Sequence, residues 1–129
     1  YGLSKRDLTT ADPENPTRTV QIGRQSSRGV EASLVARPDP AWLIEANAAL
    51  LDARYDLFYE GALSRAGNLP PNVPEVVLNA GVTWSPRRAI ELGTWIAHVG
   101  ERTADTAGVV RQPAYTLIDP FVRIALGSG

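Results

Sequence analysis

The sequence predicts an all-β chain, an antiparallel up-and-down meander, on two observations. Apolar residues alternate with small or polar ones along several segments. After an intermediate break at 12–16, the connections also alternate between short (37–40, 85–88) and long (61–74, 103–113).

The first break, Asp12-Pro13-Glu14-Asn15-Pro16, is a turn-forming cluster, because Pro fixes φ and Asp and Asn tolerate turn geometry. It closes a first strand over 1–10 and opens a second over 17–36. In the lower part of that second strand Val30, Ala32 and Leu34 oppose Gly29, Glu31 and Ser33. Pro38-Asp39-Pro40 is a short break. The next segment, 41–58, supports two readings. Trp42, Ile44, Ala46, Ala48 and Leu50 alternate with Leu43, Glu45, Asn47 and Ala49, which suits a strand. Ile44, Ala48, Leu51, Tyr55 and Phe58 also recur at helical spacing, and the Ala- and Leu-rich stretch from Ala46 to Ala53 has high helix propensity.

A long loop follows over 61–74 and ends in Asn68-Leu69-Pro70-Pro71-Asn72-Val73-Pro74, which cannot join a central ladder. In 75–84, Val76, Leu78, Ala80, Val82 and Trp84 share one face and Glu75, Asn79, Gly81 and Thr83 the other, with Val77 the exception. Ser85-Pro86-Arg87-Arg88 reads as a tight connection into 89–103, whose alternation is the least clean. Thr103 to Pro113 is the last loop. The final strand, 114–126, has Thr116, Ile118, Pro120, Val122, Ile124 and Leu126 on its even face. Pro120 is out of place there, because it removes a ladder hydrogen bond.

Composition narrows the classes of function. The 13 basic and 14 acidic residues nearly cancel, so no electrostatic footprint marks a nucleic-acid surface. The absence of Cys excludes disulfides, thiolate metal sites and a cysteine nucleophile, and the single His98 excludes a two-His metal site. No stretch approaches the roughly 20 apolar residues of a membrane-spanning helix, which leaves membrane strands open. Trp42 and Trp84 lie on the apolar faces beside the short breaks. They fit an interfacial aromatic girdle or the cap of a soluble core.

Several phrases carry a family likeness. Lys5-Arg6-Asp7-Leu8-Thr9-Thr10 runs into the first turn, and Gln21-Ile22-Gly23-Arg24-Gln25-Ser26-Ser27-Arg28-Gly29-Val30-Glu31 follows it. Asn68 to Pro74, Val99-Gly100-Glu101-Arg102 and Ala114-Tyr115-Thr116-Leu117-Ile118-Asp119 come after, in order. Together these resemble paired strands near the C-terminal end of TonB-dependent siderophore receptors, with Ser27 to Glu31 the most specific phrase. The residues of 61–67 and Pro120 depart from the pattern.

The resemblance implies a segment of a 22-stranded transmembrane β-barrel in the cell outer membrane of a Gram-negative-type envelope. Residues 1–129 would form a partial barrel domain of about six strands, without the plug domain. Uptake of a ferric siderophore energised through TonB is the implied function, with membrane lipid on the outer wall and no nucleic-acid partner. Iron would be held by the siderophore, so neither a cofactor nor protein metal ligands are required. Ligand contacts in such receptors include outer loops, which makes Tyr55, Tyr59 and Arg102 candidates, although solvated loop residues read the same way. Glu31, Glu45 and Arg123 fit a hydrated inner wall or an ordinary exposed sheet face.

Two other classes compete. A soluble β-sheet ligand-binding module would share the alternation but keep a compact core in water. An enzyme would need paired groups, for which Asp52 with Asp56 or Glu101 with Asp105 are the options. On a strand such residues lie roughly 13 Å apart, beyond the reach of paired glycosidase acids. There is also no nucleophile elbow, phosphate loop or zinc pattern. The expectation is therefore no enzyme. An isolated segment of this kind exposes two sheet edges and an apolar wall, so it should self-associate, and 41–58 could refold as a helix.

Overall fold

The computed structural model describes the backbone of residues 1–11 and 19–126, and the side chains of 1–6 and 23–126. The Asp12–Pro16 turn and the closing Gly127-Ser128-Gly129 lie outside the described residues. The described residues hold ten strands: β1 (Gly2–Ala11), β2 (Thr19–Ala36), β3 (Trp42–Leu57), β4 (Tyr59–Glu60), β5 (Leu63–Ser64), β6 (Val76–Arg87), β7 (Ile90–Val99), β8 (Arg102–Thr103), β9 (Arg111–Gln112) and β10 (Tyr115–Ile124). Six of them form one sheet in the order β1-β2-β3-β6-β7-β10, every pair antiparallel and each long strand beside its predecessor. The remaining four form two short hairpins, β4 with β5 and β8 with β9, inside the long loops.

Residues 41–58 adopt the strand, and the physical reason is pairing on both sides. Ala46 faces Leu34 on β2 and Ala80 on β6, and Ala48 faces Ala32 and Leu78. Two ladders of backbone hydrogen bonds outweigh the helix propensity of an Ala-rich stretch. The register also sorts the side chains. Val30, Leu50 and Val76 form one row, Leu34, Ala46, Ala80, Ile96 and Ile118 another, and Trp42, Trp84, Leu92 and Val122 a third. All lie on one face, which is continuous across five strands. No second layer covers it among the described residues: Val30, Leu34, Ile118 and Val122 are each more than half exposed. From Trp42 to Leu50 this apolar band runs about 26 Å along β3, commensurate with the band of a membrane barrel once strand tilt is allowed.

The opposite face is mixed. It carries Glu31, Ser33, Asn47, Asn79, Glu45 and Asp119 among Leu43, Val77 and three aromatic rings. Asn79 Nδ2 donates to Asn47 Oδ1 at 2.9 Å across the β3–β6 pair, and Arg123 pairs with Glu91 across β7 and β10. The rings explain why β7 alternates poorly. Trp95 lies over Gly81 on the neighbouring strand, where an added Cβ would overlap the indole, and Phe121 lies over Gly93 in the same way. Glycine thus leaves room for a large ring against this wall, and the ring covers the backbone that glycine bares.

One detail differs from the sequence expectation. The connection expected at 85–88 is shorter, because β6 continues to Arg87 and only Arg88 and Ala89 form the turn. A register shift between Trp84 and Arg87 accommodates this, and Pro86 sits inside that bulge, where no ladder donor is needed. Pro120 lies within β10, opposite Thr94, inside the strand the sequence predicts. Pro120 has no backbone N–H, so that position offers no donor to a ladder.

Both outer strands, β1 and β10, leave an edge free. A free edge and an uncovered apolar face drive self-association in water. For the 129-residue segment alone, circular dichroism with light scattering should show strand signal that is monodisperse only in detergent. A monodisperse monomer melting cooperatively in plain buffer would contradict the exposed-wall architecture. In the complete receptor, Gly81→Leu should cost roughly 1–3 kcal/mol by overpacking against Trp95. Thermal melting in detergent reads that loss, and adding Trp95→Ala should recover part of it.

Candidate functional site

Two ends of the sheet differ sharply in chemistry. At one end the chain turns over 37–41 and 88–89, and Trp42 and Trp84 stack with centroids 5.9 Å apart and planes at 26°. At the other end β3 rises past the apolar band, and the loops 58–75 and 100–114 pack on it and on each other.

The buried apolar side chains among the described residues are at that second end: Ala53, Tyr55 and Phe58. Tyr55 and Phe58 pack at 4.9 Å between centroids. Loop 58–75 folds back over them through Arg65 N to Phe58 O at 2.8 Å, Gly67 N to Tyr55 O at 2.8 Å and Tyr55 N to Asn68 O at 3.0 Å. These bonds extend the ladder of β3 with loop backbone, so the polar groups of a long loop are satisfied without a further strand. Tyr55 stands beyond the band, and burial pushes its phenol pKa up, with the Glu60 carboxylate adding to the shift.

A polar clamp joins the two loops. Glu60 accepts from Arg65 Nε at 2.7 Å and pairs with Arg65 Nη2 at 2.6 Å, both side chains mostly buried. Thr106 Oγ1, from the second loop, donates to the same carboxylate at 3.1 Å. Asn68 Nδ2 donates to Thr106 O at 2.9 Å, and Asn72 N donates to Thr103 O at 2.8 Å. A carboxylate sharing an arginine and a hydroxyl away from water is a strong, directional contact. A separate cavity of about 130 Å³ is lined by Leu69, Glu75, Arg102, Thr103 and Arg111 from both loops.

The sequence candidates occupy three different settings. Tyr55 is only 3 % exposed and holds the loops up from beneath. Tyr59 is exposed on β4. Arg102 lies 5.6 Å over the Tyr115 ring at the loop base, and its Nη1 and the Thr103 hydroxyl are buried with no partner among the described residues. The structure does not bring the three together as one pocket. The clamp residues Glu60, Arg65, Asn68 and Thr106 carry only a faint signal, an acid and an arginine 5 positions apart in a loop. The paired carboxylates separate likewise: Arg54 Nε holds Asp52 at 2.8 Å, Ser26 donates to Asp56 at 2.7 Å, Glu101 pairs with Arg111, and Asp105 accepts from Val110 N at 3.0 Å. Among the described residues no group of three acidic, His or Cys side chains could hold a metal.

An uncovered apolar band, a wet opposite face, girdle tryptophans at the short turns and interlocked long loops define the wall of a membrane β-barrel. Comparison with known proteins agrees. Residues 1–125 match the family described as TonB dependent receptor-like, beta-barrel, and the chain belongs to that family. It is 28% identical over 132 residues to the ferrichrome outer membrane transporter/phage receptor of Escherichia coli (strain K12), covering 98% of this chain and 17% of that protein. It is 30% identical over 132 residues to the ferrioxamine receptor of Yersinia enterocolitica, covering 99% and 18%. The chain therefore spans less than a fifth of either relative's length. The fold is similar to the crystal structures of the siderophore receptor PiuA and the ferric preacinetobactin receptor BauA, both from Acinetobacter baumannii. The TM-scores are 0.76 and 0.75 at 20% and 21% identity, over 98% and 94% of this chain and 19% of each. The family places the sheet in the outer membrane, its apolar face toward lipid and its mixed face toward the lumen.

Removing the clamp tests whether the two loops stand or fall together. In the complete receptor, Glu60→Ala should cost on the order of 2 kcal/mol, because it strands a largely buried Arg65. Hydrogen exchange should accelerate in 100–114 as well as in 58–75, with 42–50 and 76–84 unchanged.

Proposed function

We propose that this segment is part of the wall and outer loop set of a receptor that takes up a ferric siderophore across the outer membrane, energised through TonB. The carrying observation is the two-faced sheet, apolar and uncovered on one side and mixed on the other, in a chain whose residues 1–125 match the receptor barrel family. The names of the two relatives make ferrichrome and ferrioxamine the first chelates to try. The segment would form part of a barrel domain whose plug lies elsewhere in the receptor, and the interlocked loops would form part of the mouth through which the chelate enters. No catalytic role is assigned to it. The carboxylates weighed as acid–base pairs are each engaged by a different partner, which favours transport over chemistry.

Uptake of radioactive iron by cells lacking the endogenous receptors and carrying the complete receptor tests this reading. Accumulation from one ferric siderophore should depend on the receptor and stop when TonB is deleted. Replacing 100–114 with a short Gly-Ser turn should lower uptake at least tenfold while the barrel still assembles. Uptake that survives TonB deletion, or no uptake with any chelate despite a folded barrel, would remove the transport reading.

A further inference from the structure

The short-turn end carries a feature that transport does not use. Arg37 lies in the 37–41 turn, Arg87 ends β6 and Arg88 opens the next turn, all exposed. The two turns are neighbours along the rim, because Ser85 N donates to Ala41 O at 2.7 Å. None of the three arginines has a carboxylate within salt-bridge distance among the described residues, where Arg54, Arg65, Arg111 and Arg123 each have one. The acidic residue beside them, Asp39, caps its own turn by accepting from Ala41 N at 2.7 Å.

The bulge gives this cluster a direction. By strict alternation from Trp84, residue 87 belongs on the lumen face. The register shift at Ser85 and Pro86 instead sets Arg87 opposite Ile90, in the column of Leu92 and Ile124 that faces outward. Bulges re-aim side chains in this manner. Arg87 thus points to the lipid side, just past the Trp42–Trp84 stack that marks the end of the apolar band. A guanidinium at that level meets lipid headgroups, and its forked donors match phosphate oxygens.

We infer that Arg37, Arg87 and Arg88, set beside the Trp42–Trp84 stack, form a seat for the phosphate of an anionic lipid headgroup in the inner leaflet of the outer membrane. The inference rests on the membrane-barrel reading, since it needs lipid against the apolar face. Charge complementarity and continuity with the lipid-facing band select this occupant. A periplasmic protein docking on the same rim would use the arginines but not the outward tryptophans.

Reconstitution of the complete receptor separates the possibilities. Vesicles of phosphatidylcholine alone and of phosphatidylcholine with phosphatidylglycerol are compared, with retained lipid counted by native mass spectrometry after mild detergent extraction. The wild type should fold in both and retain phosphatidylglycerol selectively. The combined Arg37→Gln, Arg87→Gln and Arg88→Gln variant should fold equally well but retain roughly tenfold less. The corresponding triple Lys variant, which keeps charge without the fork, should retain an intermediate amount. Equal retention by wild type and the Gln variant, or retention displaced by a periplasmic protein rather than by added phosphatidylglycerol, would overturn the seat while leaving the barrel intact. Failure of the wild type to insert into either vesicle would overturn the membrane reading and the seat with it.

Discussion

Everything in this sheet depends on the sideways satisfaction of backbone hydrogen bonds. A wall with hydrocarbon on one side has no water to serve its N–H and C=O groups, so each strand must take both neighbours as partners. That demand fixes the plain up-and-down order β1-β2-β3-β6-β7-β10 and the long registers between them. It also overrides local preference where the two disagree. Ala46 to Ala53 would gain little from an isolated helix in a chain that already offers two ladders, and a helix there would leave Leu34 and Ala80 without partners across the wall.

The same constraint explains why this domain keeps so little conventional core. Within the band, apolar side chains gain by facing lipid, so burial against other protein is not required. Only where β3 leaves the band must the chain hold itself together in water. There Tyr55 and Phe58 are covered by loop backbone, and Glu60, Arg65 and Thr106 supply the directional contacts. One strand therefore runs through two solvents, and its side chains change accordingly, from Ile44 and Ala48 facing lipid to Tyr55 packed under loops.

Much of this architecture was legible in the sequence because a period of two and the spacing of turn residues are local signals. Val76 to Trp84 announced its outward face, and the loop lengths announced which end was which. β7 did not, because the position of Trp95 is decided by the absence of a side chain at Gly81 on another strand. No window along β7 contains that information. The turn at 85–88 is shorter than the sequence predicts for a related reason: Ser-Pro reads as a break, yet here Pro86 occupies a bulge inside the strand. The clamp between the loops joins residues 46 positions apart through a threonine, with no periodicity to mark it. Tyr55, Tyr59 and Arg102 stand out in the sequence by residue type near loop bases. Residue type cannot say that one is buried, one exposed and one laid across Tyr115.

The bulge at Ser85 and Pro86 shows how a single inserted residue can serve two requirements at once. A proline in a fully paired strand would cost a hydrogen bond that nothing in lipid replaces. At the last pair before the turn that cost falls away, since the strand is leaving the hydrocarbon. The extra residue also reverses the facing of whatever follows. An arginine that alternation would have sent into the lumen is delivered to the membrane side, next to a tryptophan pair whose ring edges tolerate the polar boundary. Charge placed there is compatible with lipid phosphate and incompatible with acyl chains. The rim thus limits how far the sheet can slide into the bilayer, and the vertical position of the band is set by chemistry at its end as much as by its own hydrophobicity.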